Sequence, residues 1–190
     1  MGPWMADTIR QCDGLVDMMS YWTFSDVFEE QGVVKQPFYG GFGLIAADGI
    51  PKPAYDAFKV LHLLGDERIP VDSRSVLVTR QKDGSLVVAL WNLVPVDQVS
   101  PDQTGPAKTI HLRFEHLAGQ RRAYISRVDR DHGDVHPAYE KMGKPRYPTQ
   151  EQIKALRQAA ELPSAEIREL TNGELTLDLA PDALAVIELK

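Results

Sequence analysis

The chain has 190 residues, 43% of them hydrophobic and 25% charged, with a net charge of −6 at pH 7. This composition indicates a globular protein of one large or two small domains. The basic residues form no stripe, which argues against a nucleic-acid partner. The single cysteine, Cys12, excludes an internal disulfide and a multi-cysteine zinc site. No apolar run approaches the roughly 20 residues of a membrane span, no leader is recognised, and the compartment stays unknown.

Two helices and one strand are predicted before residue 66. Residues 5–19 predict an amphipathic helix, because apolar side chains recur at three- and four-residue spacing. These side chains are Ile9, Cys12, Val16 and Met19. Residues 18–24, rich in aromatic and small side chains, predict a strand buried on both faces. Pro53 and Gly65 delimit a second helix over residues 54–64. One strand cannot form a sheet, so this segment needs neighbours.

Residues 20–30, which read SYWTFSDVFEE, carry the main functional signal. Aromatic side chains stack on the C–H face of a sugar ring, and carboxylates accept hydrogen bonds from its hydroxyls. Trp22, Glu29 and Glu30 are the candidate contacts. The competing interpretation is a buried aromatic strand followed by a solvated acidic loop.

The pattern changes at a polar, proline-terminated connection over residues 65–70, which predicts a domain boundary between residues 72 and 73. Domain 1–72 is followed by domain 73–190, in which Asp83-Gly84 predicts a hairpin. Strands are predicted over 75–79, 85–92, 108–114, 121–129, 174–179 and 183–189. Short strands separated by turn signals predict a mainly β fold, an antiparallel sandwich.

An insertion over about residues 131–163 interrupts the strands. It is predicted to hold one helix between Pro148 and Pro163, with Thr149 and Gln152 at capping-box spacing. Such an excursion covers either a neighbouring domain or partner, or the sandwich's own core.

Two histidines in this insertion raise the question of a metal site. His132 and His136 are four residues apart with aspartates nearby. However, Gly133 and Pro137 favour a loop over a helix, and no glutamate follows the first histidine. The prediction is a solvated polar loop, with no metal and no cofactor.

Three runs of sequence together resemble glycoside hydrolase family 39, which contains β-xylosidases and has α-L-iduronidase as a relative. The runs are YWTFSDVFEE at 21–30, PFYGGFGL at 37–44 and IPKPAY at 50–55. The resemblance is specific across residues 5–66 and continues more weakly to the C-terminus. It implies that the chain is the C-terminal portion of such an enzyme, a (β/α)8 barrel followed by a β-sandwich.

The resemblance also implies roles. Domain 1–72 would be the last helix-strand-helix unit of the barrel, with Trp22 ending the eighth strand. In this family the acid/base lies in an Asn-Glu motif after the fourth strand, and the nucleophile ends the seventh. The chain has no Asn-Glu pair, so no catalytic residue is expected in it. Trp22 would be the sugar platform, and Glu29 or Glu30 would hold ring hydroxyls.

Three function classes stay open. The chain is part of a retaining β-xylosidase-type hydrolase, or a non-catalytic carbohydrate-binding or assembly module, or an interaction domain. Glu29 and Glu30 are not expected to be a catalytic pair, because adjacent residues cannot easily converge on opposite faces of one bond. Without the rest of a barrel, the apolar faces of residues 5–65 are expected to be exposed. The expected partners are therefore a carbohydrate and either the missing barrel portion or another copy.

Overall fold

The computed structural model of this protein is mainly antiparallel β-sheet, with four α-helices and a short 3-10 helix (Ala47–Gly49) in the described part of the chain. The structure describes residues 1–28, 32, 34, 36–95, 105–115, 117, 119 and 121–190. The strands are β1 (Ile45–Ala46), β2 (Ile50–Pro51), β3 (Glu67–Ile69), β4 (Val76–Arg80), β5 (Leu86–Trp91), β6 (Lys108–Arg113), β7 (Arg122–Val128), β8 (Glu166–Glu169), β9 (Glu174–Leu179) and β10 (Leu184–Leu189). The helices are α1 (Gly2–Cys12), α2 (Pro53–Leu61), α3 (His136–Lys141) and α4 (Gln150–Ala159).

Two sheets form the sandwich. The larger has six strands in the order β3-β4-β5-β10-β7-β8, and the smaller pairs β6 with β9. Every ladder among the described residues is antiparallel, which confirms the predicted mainly β, antiparallel class. The six predicted strands match β4, β5, β6, β7, β9 and β10 within one residue at each end.

The two faces of the larger sheet are covered by different elements. On one face, the inward side chains of β9 (Leu175, Leu177 and Leu179) join Val88, Ile125 and Ile187 in a buried cluster. On the other face, helices α1 and α2 pack against the sheet. Because β5 and β10 are covered on both sides, their sequences are almost continuously apolar.

The packing of α1 and α2 corrects one expectation. Met5 and Ala6 of α1, with Ala57 and Val60 of α2, are buried against the sheet in one cluster with Trp91. The sides of both helices that face the sheet are therefore covered, which corrects the expectation in part, while Trp4 of α1 and Phe58 of α2 are 51% and 37% exposed. The residues between α1 and β1, in contrast, include many exposed apolar side chains.

Two predicted elements before residue 25 differ from the structure. The predicted helix 5–19 ends at Cys12, because Asp13 is extended and Gly14 adopts φ +73°. The predicted buried strand 18–24 does not form a ladder. Its end is marked by a single parallel bridge from Ser25 to Ile45, since the described residues offer no strand to pair with the rest.

The predicted connection 65–70 contains strand β3, which pairs with β4 through Glu67↔Arg80 and Ile69↔Val78. Its charged residues conceal the strand pattern, as is common on a sheet edge. The division of the chain at residue 72 stays a prediction. None of the helices in the described ranges has the length and apolar character needed to cross a membrane.

The insertion 131–163 contains α3 and α4. The predicted capping box is confirmed at α4, where Thr149 and Gln152 exchange side chain–backbone hydrogen bonds. Helix α3 was not predicted, and His136 lies at its first position rather than in a loop. Leu156 and Tyr139 pack with Ile50, so the insertion covers residues near β1 and β2.

Candidate functional site

Trp22 lies in an extended segment that is open to solvent. Its side chain is 69% exposed and makes an edge-to-face contact with Phe28, with ring centroids 5.7 Å apart. The Trp22–Thr23 peptide bond is cis. Glu29 and Glu30, the predicted carboxylates of the site, lie outside the described residues. Trp22 thus has the exposure that stacking on a sugar requires, and the roles of all three residues stay predictions.

Trp22 belongs to a stretch with unusually many exposed apolar side chains. The others that are more than half exposed are Leu15, Val16, Met18, Met19, Phe24, Val27 and Phe42. Single exposed apolar residues are normal on a protein surface, but eight of them, Trp22 included, lie between positions 15 and 42.

The buried carboxylate of Asp26 holds the segment that contains Trp22 in place. It is 2% exposed and accepts two hydrogen bonds from Lys52 Nζ, at 2.8 and 3.0 Å. The backbone N–H of Gly43 donates to the same carboxylate at 2.6 Å. Lys52 Nζ also donates to the carbonyl of Gly41 at 2.9 Å. A buried carboxylate is tolerated when it has both a cation and hydrogen-bond donors, and Asp26 has both.

The backbone on either side of this ion pair is tied together. The N–H of Asp26 donates to the carbonyl of Ile45 at 2.8 Å, and the N–H of Ile45 donates to the carbonyl of Phe24 at 3.0 Å. The hydroxyl of Tyr39 donates to the carbonyl of Asp26 at 2.7 Å. These hydrogen bonds hold Phe24 and Asp26 beside Ile45. The two ends of the stretch 27–43 therefore lie close together.

The glycine-rich run at 40–43 is required by this close return. A Cβ on Gly43 would overlap the backbone of Ser25, and one on Gly41 would lie 2.6 Å from the Asp26 carboxyl carbon. Gly40 adopts φ +95°, as expected for a tight path beside a site. The glycines at 41 and 43 thus leave the space that the Asp26 carboxylate occupies beside the backbone.

Tyr21 anchors the segment to α2. Its ring meets Phe58 edge-to-face, with centroids 5.6 Å apart. Burial, together with the negative charge of Asp26, raises the pKa of the Tyr21 hydroxyl above its ordinary value. Tyr21 is thus neutral at physiological pH and contributes as a packed aromatic.

Helix α3 of the insertion contacts Phe38, which lies in the stretch between Trp22 and β1. Phe38 packs on His136 and Tyr139 of α3, with ring centroids 5.0 and 4.8 Å apart. The Tyr139 hydroxyl donates to the carbonyl of Pro145 at 3.0 Å, and burial raises its pKa. Helix α3 therefore connects the loop after Trp22 to the 143–149 turn of the insertion.

The two histidines of the metal hypothesis have separate partners. His132 Nδ1 lies 2.7 Å from an oxygen of Asp129, and His136 Nδ1 lies 2.7 Å from an oxygen of Asp134. Burial would raise the pKa of Asp134, but hydrogen bonds from His136 outweigh it and the pKa is lowered. Within the described ranges, no three His, Cys, Asp or Glu side chains converge on a common point.

Asp56 of α2 is a second buried carboxylate. It is 1% exposed, and its Oδ2 has no hydrogen-bond partner among the described residues. Lys59 Nζ lies 3.3 Å from Oδ1. Burial raises the pKa of Asp56, and Lys59 offsets only part of the effect.

Sequence reasoning proposed Trp22, whose role stays a prediction, and missed the pairing of Asp26 with Lys52. The available signal was Lys52 between Pro51 and Pro53, a charged residue in a rigid, otherwise apolar stretch. This pattern indicates that Lys52 is held in a rigid stretch, but it does not indicate which carboxylate Lys52 pairs with.

In the described part of the chain, a helix-backed antiparallel sandwich carries an exposed tryptophan, Trp22, beside the segment that the Asp26–Lys52 pair fixes. The sequence model of glycosyl hydrolases family 39 matches residues 3–176. The chain therefore belongs to glycosyl hydrolases family 39, and the resemblance found in its sequence is confirmed.

Individual relatives agree with this assignment. The chain is 35% identical to a β-xylosidase of Geobacillus stearothermophilus over 191 residues, which cover 98% of the chain and 36% of the relative. It is 34% identical to a β-xylosidase of Caldicellulosiruptor saccharolyticus over 182 residues, covering 90% of the chain and 36% of the relative.

Solved structures are similar along the whole chain. A monomeric β-xylosidase of Caulobacter crescentus superposes with a TM-score of 0.84 at 28% identity, covering 100% of this chain and 41% of that one. The family 39 enzyme of Xanthomonas axonopodis pv. citri gives 0.81 at 28% identity, covering 100% of this chain and 40% of that one. The chain thus spans about two fifths of the relatives it matches.

Proposed function

We propose that this chain is the C-terminal part of a retaining glycoside hydrolase of the β-xylosidase type, and that it forms one wall of the sugar subsite. The observation that carries the proposal is the exposed indole of Trp22, held on a segment that the buried Asp26–Lys52 pair fixes. The similarity to β-xylosidases over 98% and 90% of the chain supports the same class.

In this proposal, residues 1–72 are the last helix-strand-helix unit of a (β/α)8 barrel, and residues 73–190 are its accessory sandwich. Helix α1 precedes the strand that ends at Trp22, and α2 is the final helix. The exposed apolar side chains between residues 15 and 28 support it, because neighbouring barrel strands and helices would cover them. The limited share of each relative that the chain spans is consistent with a barrel encoded elsewhere.

In this proposal, sugar recognition and bond cleavage are carried out by different parts of the enzyme. Retaining hydrolysis needs two carboxyl groups about 5–5.5 Å apart, one as acid/base and one as nucleophile. The family places these on barrel strands four and seven, outside this chain. Trp22 stacks on the sugar ring, and Glu29 or Glu30 accepts hydrogen bonds from its hydroxyls. The chain recognises the sugar, and the remainder of the enzyme cleaves the bond.

The test compares the isolated chain with the full-length protein, using an aryl β-xyloside. The full-length protein should hydrolyse it, and the isolated chain should not. Turnover by the isolated chain would contradict the assignment of the catalytic carboxylates. Sugar binding by the isolated chain, together with an inactive full-length protein, would instead establish the carbohydrate-binding module.

Tryptophan substitutions test the site itself. In the full-length protein, Trp22→Ala should lower kcat/KM by about 10–100-fold, the value of one good apolar contact in a specificity pocket. Trp4→Ala is the matched control, because Trp4 is also an exposed tryptophan, at 51%, but lies on α1. It should change kcat/KM by less than about threefold. Equal losses in the two variants would remove Trp22 from the sugar subsite.

A further inference from the structure

The hairpin formed by β1 and β2 contacts both the insertion and the Trp22 segment, residues 22–26. Its strands are two residues long, are joined by the turn Ala47–Gly49 and pair through Ala46 and Ile50. A two-stranded ribbon of this size is marginally stable by itself. Its position therefore depends on the surfaces that it packs against.

The insertion covers the apolar side of the hairpin. Ala46 and Ile50 are 1% and 0% exposed and belong to one buried apolar cluster. The other buried members of this cluster all come from the insertion: Val135, Tyr139, Leu156 and Ala160. Because the hairpin buries its apolar side chains against α3 and α4, these two helices determine where it lies.

Arg157 of α4 binds the turn of the hairpin. Its Nε donates to the carbonyl of Asp48 at 3.0 Å, and its Nη2 donates to the same oxygen. Asp48 and Gly49 adopt φ +63° and +65°, a left-handed conformation that is uncommon for residues other than glycine. A Cβ on Gly49 would lie 3.3 Å from the guanidinium. Two charge-assisted donors on one carbonyl therefore stabilise this turn against α4.

The other end of the hairpin is bonded to the Trp22 segment. The N–H of Leu44 donates at 3.0 Å to the carbonyl of Thr23, the residue directly after Trp22. Lys52, which follows β2 directly, forms the ion pair with Asp26. The hairpin therefore joins the insertion to the Trp22 segment, with a direct contact at each step.

We propose that the insertion positions Trp22 for sugar binding, and that Arg157 is the positioning residue that holds the β1–β2 hairpin for this purpose. The inference rests on the proposed function, because it takes Trp22 to be the sugar platform. Trp22 is 69% exposed, so the backbone that carries the indole sets its orientation more than side-chain packing does. Arg157 acts on the sugar only through the hairpin and this backbone.

The test measures kcat/KM of the full-length protein for an aryl β-xyloside. Arg157→Ala should lower it about 3–10-fold, less than the roughly 10²-fold that a 1 Å misplacement can cost. Lys154→Ala is the matched control, because Lys154 is an exposed cation one turn earlier on α4. It should leave kcat/KM unchanged. Arg157→Lys keeps one donor and should recover part of the loss.

A double-mutant cycle separates positioning from general destabilisation. If Arg157 acts through Trp22, the loss caused by Arg157→Ala should disappear in a Trp22→Ala background, because no indole is left to misplace. A loss of equal size in both backgrounds would overturn the inference. Thermal unfolding checks that each variant folds. If Arg157→Ala does not fold, Arg157→Lys takes its place in the same cycle, with a smaller loss and the same dependence on Trp22.

Hydrogen exchange measures the link without any substrate. The N–H groups of Asp26 and Ile45 donate to the carbonyls of Ile45 and Phe24. In Arg157→Ala they should exchange about tenfold faster than in the wild type, the effect of losing one charge-assisted hydrogen bond. In Lys154→Ala they should exchange at the wild-type rate.

The outcomes separate this inference from the proposed function. If the wild type hydrolyses the xyloside and Trp22→Ala lowers kcat/KM, but Arg157→Ala changes neither kcat/KM nor the exchange rates, the inference is wrong and the proposed function stands. If the wild type hydrolyses no aryl β-xyloside, or Trp22→Ala is as active as the wild type, the proposed function fails and the inference fails with it.

Discussion

Replacing Lys52 by methionine tests whether the buried ion pair holds the Trp22 segment in place. The change removes the Nζ donor from Asp26, at 2.8 and 3.0 Å, and from the Gly41 carbonyl, at 2.9 Å. It preserves most of the apolar side-chain volume. Asp26 would then be a buried carboxylate whose remaining donor is the N–H of Gly43.

The magnitude follows from the burial of both partners. The side chains of Lys52 and Asp26 are 14% and 1% exposed, so solvent screening is weak. At an effective dielectric constant of about 20, unit charges about 3 Å apart attract by roughly 5–6 kcal/mol. Removing one partner of a buried pair costs about 3–5 kcal/mol. We expect Lys52→Met to lower the free energy of unfolding by about 3–5 kcal/mol.

The assay is urea denaturation of the full-length protein, followed by circular dichroism, with Lys82→Met as the matched control. Lys82 and Asp66 form an ion pair at 3.6 Å, with side chains 91% and 79% exposed. Such a pair is worth about 0–1 kcal/mol. If Lys52→Met costs no more than Lys82→Met, the ion pair does not hold this segment. The double variant Asp26→Asn/Lys52→Met should recover part of the loss, because it leaves no buried charge.

Elements with local signals were predictable from the sequence. The β4–β5 hairpin follows from Asp83-Gly84, where Gly84 adopts φ +87°. The start of α4 follows from the spacing of Thr149 and Gln152. In both cases the residues that determine the structure are within four positions of one another.

Elements that depend on distant partners were not predictable. The aromatic composition of residues 18–24 favours a strand, but a strand forms only where a neighbour pairs with it. The Asp26–Lys52 pair joins positions 26 residues apart, and no spacing rule connects them. The hydrogen bond from Arg157 of α4 to the carbonyl of Asp48 likewise joins positions 109 residues apart.

Two further substitutions test the packing around the site. Gly43→Ala should destabilise the protein by about 1–3 kcal/mol in urea denaturation, because its Cβ would overlap the backbone of Ser25; a neutral result would contradict the close approach. Asp56→Asn should show a pH-dependent gain, because burial raises the folded pKa of Asp56 above its ordinary value of 3.8. The folded state therefore binds the proton more tightly than the unfolded state. The stabilisation from this group is complete below the unfolded pKa and is lost as the pH rises through the folded pKa. Asparagine stays neutral throughout, so its advantage in unfolding free energy over the wild type should grow from pH 4 to pH 7. A difference that is constant across this range would show that Asp56 ionises in the folded protein as freely as in the unfolded chain.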